Sequence, residues 1–472
     1  MRGGYDNLNA LVLGAALSGE WAARLLLSRG CRVTVLDEGD GVKLADAAAR
    51  IGAAGGAVRF GKGDLPDGAF DVCVASPAFA MSHAWIAACA ARGVPVISEL
   101  ELGACYWRGR ILAVTGSKGK SSLVKFCADT LNLSGVTASP AGNYGIPLCQ
   151  LVMERPDVAW AVAEVSSFQM EHSPTFHPQV AVLLNLQPDH LDRHADFAEY
   201  KQLKLRMFAN MGEGDCALLP QGLDAEGMLP ASVPCFRFGD TPDCDWRYAA
   251  SCVYGGRASS RAEGAADIPV CRQGQCADRK VCASFFVVNI AGTWFDNEVL
   301  GFAAAAGVAA LHAAGLSASA IDAGFKRFEP LAHRVQDIGT DARGVTWVDD
   351  SKATSLTATA AALRMVRKPV RLIAGGLLKE NDLFFLKDLL AETTQKVYLI
   401  GKCAGQMAEA WASAVPCEIY GTIERAVSAV AQEAQSGETA LLSPGTASFD
   451  QFGSYRERGE RFTQLARAVA GL

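Results

Sequence analysis

Short unbroken apolar runs alternate along the chain with stretches in which apolar residues recur three or four apart, a pattern that predicts strands and helices in turn. The opening segment, NALVLGAALSGEWAARLLLSRGCRVTVLDEGD, reads as strand, glycine turn, helix, strand and closing acid, which is one βαβ unit. A second strand-to-turn junction follows at FDVCVASPAFA, with Ser76 and Pro77 at a carboxyl strand end. RILAVTGSKGKSSLVKF opens a new strand–loop–helix unit near residue 109, and AWAVAEVSS and QVAVLLNL continue it with the apolar strands of a parallel sheet buried on both faces. From about 212 to 290, Gly, Pro, Asp and Cys interrupt β-like runs such as CALLP and CASFFVVNI, which predicts an antiparallel elaboration of this middle region. NEVLGFAAAAGVAALHAAG predicts an alanine-rich helix, closely packed through its small residues. From LAHRVQDIG onward, VRLIAGG, KVYLIGK and TALLSPGTAS alternate with helical stretches and predict a further open α/β sheet.

These elements divide the chain into three α/β domains. Residues 1–108 form a Rossmann-like domain, 109–331 a central P-loop ATPase-type domain whose mostly parallel sheet carries a smaller antiparallel part, and 332–472 a second Rossmann-like domain. A length of 472 residues, beyond what one core supports, agrees with that division. A formal net charge of -6 with no Lys/Arg cluster excludes the electrostatic footprint of nucleic-acid binding, so anionic partners must be met by local sites. The N-terminal MRGGYDNLNALVLG has no charged region ahead of a long apolar run, and no window of about 18 apolar residues occurs, so a cytoplasmic protein without membrane insertion is expected. The 15 cysteines are odd in number and include no Cys-x-x-Cys pair, which points to reduced thiols. Cys244, Cys252, Cys271, Cys276 and Cys282 crowd one region without the paired spacing of a zinc site.

The chemistry starts at ILAVTGSKGKSS. A standard G-x-x-x-x-G-K-[ST] loop would place glycine at position 114, where this chain has Val114, so the loop is a shortened one. Gly116 and Gly119 let the backbone turn its N–H groups and the following helix N-terminus toward phosphate oxygens, Lys120 adds a point charge, and Ser121 or Ser122 can bind Mg²⁺. Glu164 ends a buried strand, where a carboxylate can hold a metal at a nucleotide's phosphates or simply cap the next helix. In the first domain the glycines of the turn, Gly14 and Gly19, lack the middle member of G-x-G-x-x-G; the turn around Leu17 and Ser18, Asp37 at a strand end and the Ser76–Pro77 turn nonetheless all lie beyond carboxyl strand ends, where open α/β sheets bind ligands. By spacing alone Lys204, in YKQLKLRMF, is a solvated helix lysine and His190 a strand-end histidine.

The T-G-x-x-G-K-[ST]-[ST] loop resembles that of the Mur ligase family, which joins amino acids to a UDP-muramoyl carrier. Seven further motifs follow in order: GNYGIP (142–147), EVSSFQME (164–171), NLQPDHLDRH (185–194), AHRV (332–335), DDSKAT (349–354), AGGLLK (374–379) and SPGTASFDQF (443–452). They resemble the D-glutamate-adding branch in particular, over nearly the whole chain. The resemblance implies an ATP-dependent ligase that adds D-glutamate to UDP-N-acetylmuramoyl-L-alanine through an acyl phosphate, with the UDP substrate on the first domain, ATP between the second and third, and the amino acid on the third. Closure of the domains would then be a prerequisite for reaction.

Residue by residue, the resemblance assigns Gly116, Ser117, Lys118, Gly119, Lys120, Ser121 and Ser122 to ATP. Asn143 goes to the γ-phosphate side or the adjoining magnesium, Asn297 to adenine, Asp350 to the ribose hydroxyls, Arg334 to the transferring phosphate, and Lys352 also to ATP. Two Mg²⁺ ions would be held by Ser121, Glu164, His190 and Lys204, the lysine being carbamylated by CO₂. Leu17, Ser18, Asp37, Ser76 and Pro77 would meet the UDP substrate; Thr354, Lys379, Ser448, the backbone near Phe449 and the ring of Tyr455 would meet the amino acid. A monomer is expected. The chain departs from the family pattern at Lys118, Asp296, Leu377, Leu378 and Tyr455, the last three close to the expected amino-acid site. Folylpolyglutamate synthetase or a different Mur enzyme shares the loop, although the former does not need the roughly 108 residues of βαβ sequence ahead of it. A non-catalytic UDP-sugar sensor on the same fold is expected to have lost Lys120, Glu164 or Lys204, and all three are present.

Overall fold

A computed structural model describes residues 4–189, 193–225, 227–255, 286–378 and 382–472. Among them lie three sheets. The first contains β1 (Asn9–Leu13), β2 (Arg32–Asp37), β3 (Ala57–Phe60), β4 (Val72–Ala75) and β5 (Val96–Ser98), all parallel, in the order β3-β2-β1-β4-β5. Chain order reverses between β1 and β4, so their carboxyl ends open a crevice at that point. The turn after β1 needs its glycines. Gly14 has φ +96°, and an added Cβ would lie 2.7 Å from Ser76 Oγ, while a Cβ on Gly19 would run into the Gly14 carbonyl oxygen. The missing middle glycine is therefore no defect: two glycines suffice to seat helix Leu17–Ser28 on the strand end.

The second sheet contains β6 (Arg110–Thr115), β7 (Ala138–Gly142), β8 (Trp160–Glu164), β9 (Val180–Leu183), β10 (Cys216–Pro220), β11 (Cys235–Gly239), β12 (Trp246–Ala249), β13 (Cys252–Gly255) and β14 (Phe286–Asn289). Its order is β14-β13-β12-β11-β10-β9-β6-β8-β7. The antiparallel part is smaller than the sequence predicts. β10 and β11 extend the parallel sheet and β12 pairs parallel with β11, so among the described residues of this sheet the antiparallel pairings are those of β13 with β12 and with β14. The alanine-rich helix spans Gly301–Ala313 and is buried along nearly its whole length. Neither Cys244 nor Cys252 is in a disulfide; Cys271, Cys276 and Cys282 lie outside the described residues.

The third sheet contains β15 (Gln336–Thr340), β16 (Thr346–Asp349), β17 (Val370–Gly375), β18 (Thr394–Ile400), β19 (Cys417–Gly421) and β20 (Thr439–Leu442), in the order β15-β16-β20-β17-β18-β19, with only β15 antiparallel. Two compact units result: Met1–Asp296 with Gly301–Phe328, holding the first two sheets, and Asn297–Leu300 with Glu329–Leu472, holding the third. Among the described residues no helix is long and apolar enough to cross a membrane.

Within the first unit the two sheets are joined by buried polar contacts as well as by a shared apolar core. Ser98 N–H donates to His172 O at 2.7 Å, and the Ser98 and Ser173 hydroxyls lie 2.6 Å apart. Glu99 Oε1 accepts from the Cys149 N–H at 2.6 Å, and burial lifts the Glu99 carboxyl to about 7 against that hydrogen bond. Gly19→Ala is expected to destabilise this unit by about 1–3 kcal/mol, because its methyl group meets backbone rather than a yielding side chain. The thermal unfolding midpoint measures it; a midpoint unchanged from the parent would contradict the close helix–turn approach.

Candidate functional site

The chemistry of the second sheet gathers at the carboxyl ends of three adjacent strands. β6 lies between β8 and β9, with Val114 opposite Glu164 and Thr115 opposite Leu183. The phosphate-type loop leaves β6 at Gly116, φ +148°, and enters helix Lys120–Leu133 at Gly119, φ +82°, so both glycines take backbone conformations that side chains disfavour. The loop is fastened from β9. Asn185 Oδ1 accepts from the N–H groups of Ser117 and Lys118 at 3.0 and 2.9 Å, and Asn185 Nδ2 donates to Lys118 O at 2.9 Å. Ser117 Oγ donates to Gln187 O, accepts from Gln187 N–H, and lies 3.0 Å from the Tyr200 hydroxyl. Ser117 is therefore a fastener of the loop, and Asn185 and Gln187 do work that sequence reasoning did not give them. Lys120 Nζ folds back onto the Gly116 and Ser117 carbonyls at 2.8 and 3.0 Å. Ser121 is half-buried at the helix start and Ser122 is buried. Lys118 is exposed and pairs with Asp189 at 3.1 Å.

Glu164 is buried at the end of β8. Its Oε1 accepts from Asn143 Nδ2 at 2.7 Å, and its Oε2 is buried with no hydrogen-bond partner. An orphaned carboxylate oxygen is costly unless something cationic meets it. Lys204 faces the same strand ends. It is only 2% exposed, against the solvated position its spacing suggests. Helix Phe197–Leu205 presents Tyr200 and Lys204, four residues apart, on one face: Tyr200 touches Ser117, and the Lys204 ammonium sits 4.6 Å over the Tyr200 ring and 3.5 Å from Thr115 Oγ1. Burial first, and the Lys120 ammonium second, push Lys204 down to about 7, with Asp189 and Glu164 pulling the other way. Such an amine is half neutral near neutral pH and hence nucleophilic. Among the described residues no group of three or more His, Cys, Asp or Glu forms a ready metal centre, and His190 lies outside the described residues.

In the first sheet, Asp37 faces the Gly14 turn, and both of its oxygens serve the backbone: Oδ2 accepts from Ala15 N–H at 2.8 Å and Oδ1 from Gly39 N–H at 2.9 Å. Ser76 Oγ is buried without a partner, and Leu17 is exposed at the mouth of the same crevice. Arg193, from the NLQPDHLDRH segment, donates to Pro77 O at 2.6 Å, Phe79 O at 3.0 Å and Glu171 Oε2 at 2.9 Å. One arginine of the second sheet's loops thus grips the Ser76–Pro77 turn of the first.

In the second unit, Arg334 sits between two non-glycine residues in left-handed backbone, His333 at φ +63° and Val335 at φ +44°. A β-branched residue in that region is strained, and the surroundings must hold it there. His333 Nδ1 lies 2.7 Å from Asp349 Oδ2, Lys352 N–H donates to His333 O, and Val335 N–H donates to Asp350 Oδ1 at 3.2 Å. Asp350 also accepts from Ser443 Oγ at 2.7 Å, and burial lifts its carboxyl to about 7. Lys352 Nζ donates to the Tyr455 hydroxyl at 2.9 Å, so the tyrosine that departs from the family pattern ties a lysine assigned to ATP. Burial of the Tyr455 phenol raises its pKa, but donors from Lys352 and Arg456 outweigh it and hold the group below its ordinary value. Thr354 does not cap helix Leu356–Met365, since Ser355 does. Ser448 is buried, Phe449 is 68% exposed, and Leu377 is bridged to Ala447. Lys379 lies outside the described residues. Asn297 Oδ1 accepts from the Val299 and Leu300 N–H groups in the turn before the alanine-rich helix.

Residues 114–236 match the family model described as Mur ligase middle domain, and residues 333–445 that of the Mur ligase glutamate ligase domain. The chain is 33% identical over 462 residues to the UDP-N-acetylmuramoylalanine–D-glutamate ligase of Acidobacterium capsulatum, covering 98% of this chain and 96% of that protein. It is 34% identical over 474 residues to the protein of the same name from Frankia casuarinae, covering 99% and 95%. Among solved structures, UDP-N-acetylmuramate–alanine ligase of Thermotoga maritima superposes with a TM-score of 0.58 at 12% identity, over 98% of this chain and 99% of that one. The MurF ligase of the same organism in complex with ADP gives 0.58 at 15% identity, over 93% and 95%. At such identities the structural likeness speaks to the fold alone.

The buried Lys204 makes a stability prediction. Its folded pKa, about 7, lies below the unfolded value, so the folded state resists the charged form, and the cost is full below about pH 7 and fades as pH rises toward the unfolded value. In bicarbonate-free buffer, Lys204→Met should therefore melt above the parent at pH 6, with the gap shrinking toward pH 10. A gap that widens with pH would mean the ammonium is paired.

Proposed function

The chain belongs to the Mur ligase family, and from that premise we propose that it is the ATP-dependent ligase that joins D-glutamate to UDP-N-acetylmuramoyl-L-alanine in peptidoglycan precursor synthesis. What carries the reading is the combination of 33% identity over nearly the full length with a shortened phosphate loop whose surroundings hold an orphaned carboxylate oxygen on Glu164 and a buried lysine.

The reaction joins a carboxylate to an amine, which needs activation of the acid. ATP transfers its γ-phosphoryl group to the terminal carboxylate of the UDP substrate, giving an acyl phosphate and ADP. The amine of D-glutamate attacks the acyl carbon, the C–N bond forms, and phosphate leaves. Phosphoryl transfer asks the protein mainly for positioning and charge stabilisation. The helix start at Gly119–Lys120–Ser121–Ser122 faces the phosphates, the Ser117 and Lys118 N–H groups being taken by Asn185, and Lys120 exchanges the Gly116 and Ser117 carbonyls it now holds for phosphate oxygens. Glu164 Oε2 and the Ser121 hydroxyl suit a magnesium ion in donor chemistry, the first because it is buried and unpartnered. Magnesium, when bound, neutralises phosphate charge. A second ion would take His190 and Lys204, the lysine as a carbamate formed with CO₂; its amine is neutral enough near pH 7 to form one.

Asn143 serves the γ-phosphate side and Asn297 the adenine, and Arg334, Asp350 and Lys352 also serve ATP. Arg334, whose backbone neighbours His333 and Val335 are held in left-handed conformations, would take the transferring phosphate. Leu17, Ser18, Asp37, Ser76 and Pro77 bind the UDP part; Asp37 does so while bracing its own turn, a carboxylate having lone pairs beyond the two it uses. Thr354, Lys379, Ser448, the backbone near Phe449 and the Tyr455 ring receive D-glutamate. The enzyme acts in the cytoplasm, where ATP and the nucleotide-linked carrier are.

Phosphate release assayed with UDP-N-acetylmuramoyl-L-alanine and a panel of amino acids should give product with D-glutamate and not with L-glutamate, L-lysine or diaminopimelate. Preferential use of L-glutamate would refute the acceptor and leave the ligase mechanism standing. Lys120→Ala should abolish acyl phosphate formation yet leave UDP-substrate binding, measured by calorimetry, within about twofold of the parent. Activity below about pH 7 at low bicarbonate should fall and recover on adding bicarbonate, and Lys204→Ala should lose both activity and bicarbonate response. An active, bicarbonate-independent alanine variant would sink the carbamate.

A further inference from the structure

One buried cation in the second unit has no part in the chemistry above. Arg458, in helix Tyr455–Ala470, is 1% exposed, and among the described residues no carboxylate lies within ion-pairing distance of it. Burying a guanidinium without an ion pair is expensive, so its hydrogen bonds must be worth the cost. Nε donates to Ser351 Oγ at 3.0 Å, and Nη2 donates to Ser351 O at 2.8 Å and Thr446 O at 3.1 Å. Nη1 is buried with no partner, as is Thr446 Oγ1. Both surround Gly376: a Cβ there would lie 2.6 Å from Thr446 Oγ1, 3.4 Å from Arg458 Nη1 and 2.5 Å from Ala447 O.

The three segments that meet this guanidinium are the loops after β16, β17 and β20, at the carboxyl edge of the third sheet. Ser351 stands three residues before Thr354, and its hydroxyl also donates to Tyr455 O at 2.8 Å. Thr446 stands two before Ser448. Gly376 precedes Leu377, whose paired hydrogen bonds with Ala447, at 2.9 and 3.0 Å, weld the loops after β17 and β20 together. Tyr455 lies one helical turn before Arg458 itself. Three loops that lead to acceptor residues thus meet one side chain, itself on the helix that carries Tyr455.

We propose that Arg458 is the positioning residue of the acceptor pocket: its guanidinium clamps the loops carrying Thr354 and Ser448 to the helix carrying Tyr455 and sets the spacing at which they receive the amino acid. This rests on the proposed acceptor site. Lysine in its place supplies one ammonium for a planar fork and cannot span Ser351 and Thr446 together.

The test is steady-state kinetics of Arg458→Lys and Ser351→Ala, with thermal melting of both. Arg458→Lys should raise KM for D-glutamate about tenfold or more while KM for ATP and for the UDP substrate stay within about twofold; Ser351→Ala should shift the same constant in the same direction, by less. If all three KM values rise together, or if a variant melting like the parent keeps the parent's amino-acid KM, the clamp is refuted. Should Arg458→Lys fail to fold, Ser351→Ala decides by the same criterion. A parent that turns over only with another amino acid rejects D-glutamate but not the clamp, which is then scored on KM for that amino acid.

Discussion

The site of the first unit depends on the parallel pairing of β6 with β8 on one side and β9 on the other. Parallel strands end at the same edge, so the loop after Thr115, the carboxylate of Glu164 and the amide of Asn185 arrive side by side although they are widely separated in sequence. Each then restrains another: Asn185 fastens the loop, Asn143 fastens Glu164, and Tyr200 reaches Ser117 from the helix that also carries Lys204. Burial of β6 and β8 on both faces, with Ile111, Leu112, Ala113, Ala161 and Val162 all in the core, makes that edge rigid enough to hold such an arrangement.

Two buried cations show how the same environment yields different chemistry. Lys204 and Arg458 are each almost wholly inside, neither with an ion-paired carboxylate among the described residues. An ammonium answers desolvation by giving up its proton, and Lys204 is pushed to about 7. A guanidinium gives up its proton far less readily. Burial lowers Arg458 only to about 10, so it stays charged and spends that charge on carbonyl and hydroxyl oxygens of neighbouring loops. The lysine is thereby suited to react, and the arginine to hold.

In the second unit, strained backbone brackets Arg334. His333 and Val335 accept left-handed backbone on either side of Arg334, and what holds them is a set of hydrogen bonds to Asp349 and Asp350. In the phosphate loop the same need is met without strain, because the positions that turn there are glycines. Left-handed backbone is thus accommodated by composition in one loop and by tertiary hydrogen bonds in the other.

Much was written in the chain. The apolar runs located several strands of each sheet, and the Gly116–Gly119–Lys120 spacing located the loop, because glycine conformation and strand burial are local properties that a sequence displays directly. Lys204 was half legible: Tyr200, Leu203, Met207 and Phe208 form an apolar stripe at helical spacing, and the lysine lies on it, but a single cation reads as solvated until the surface it faces is known. The extent of the antiparallel part was not legible, since CALLP pairs parallel with β9 and the neighbour a short apolar strand takes depends on the sheet around it. Asn185 as fastener, Arg193 gripping the Ser76–Pro77 turn, and Arg458 beneath three loops depend on contacts between residues that are dozens of positions apart. By itself the sequence determined the most apolar strands, the glycine turns, the alanine-rich helix and which residues carry charge. Only the tertiary structure decided which charges would be buried, and so which would lose a proton, since that depends on the atoms folded around each one.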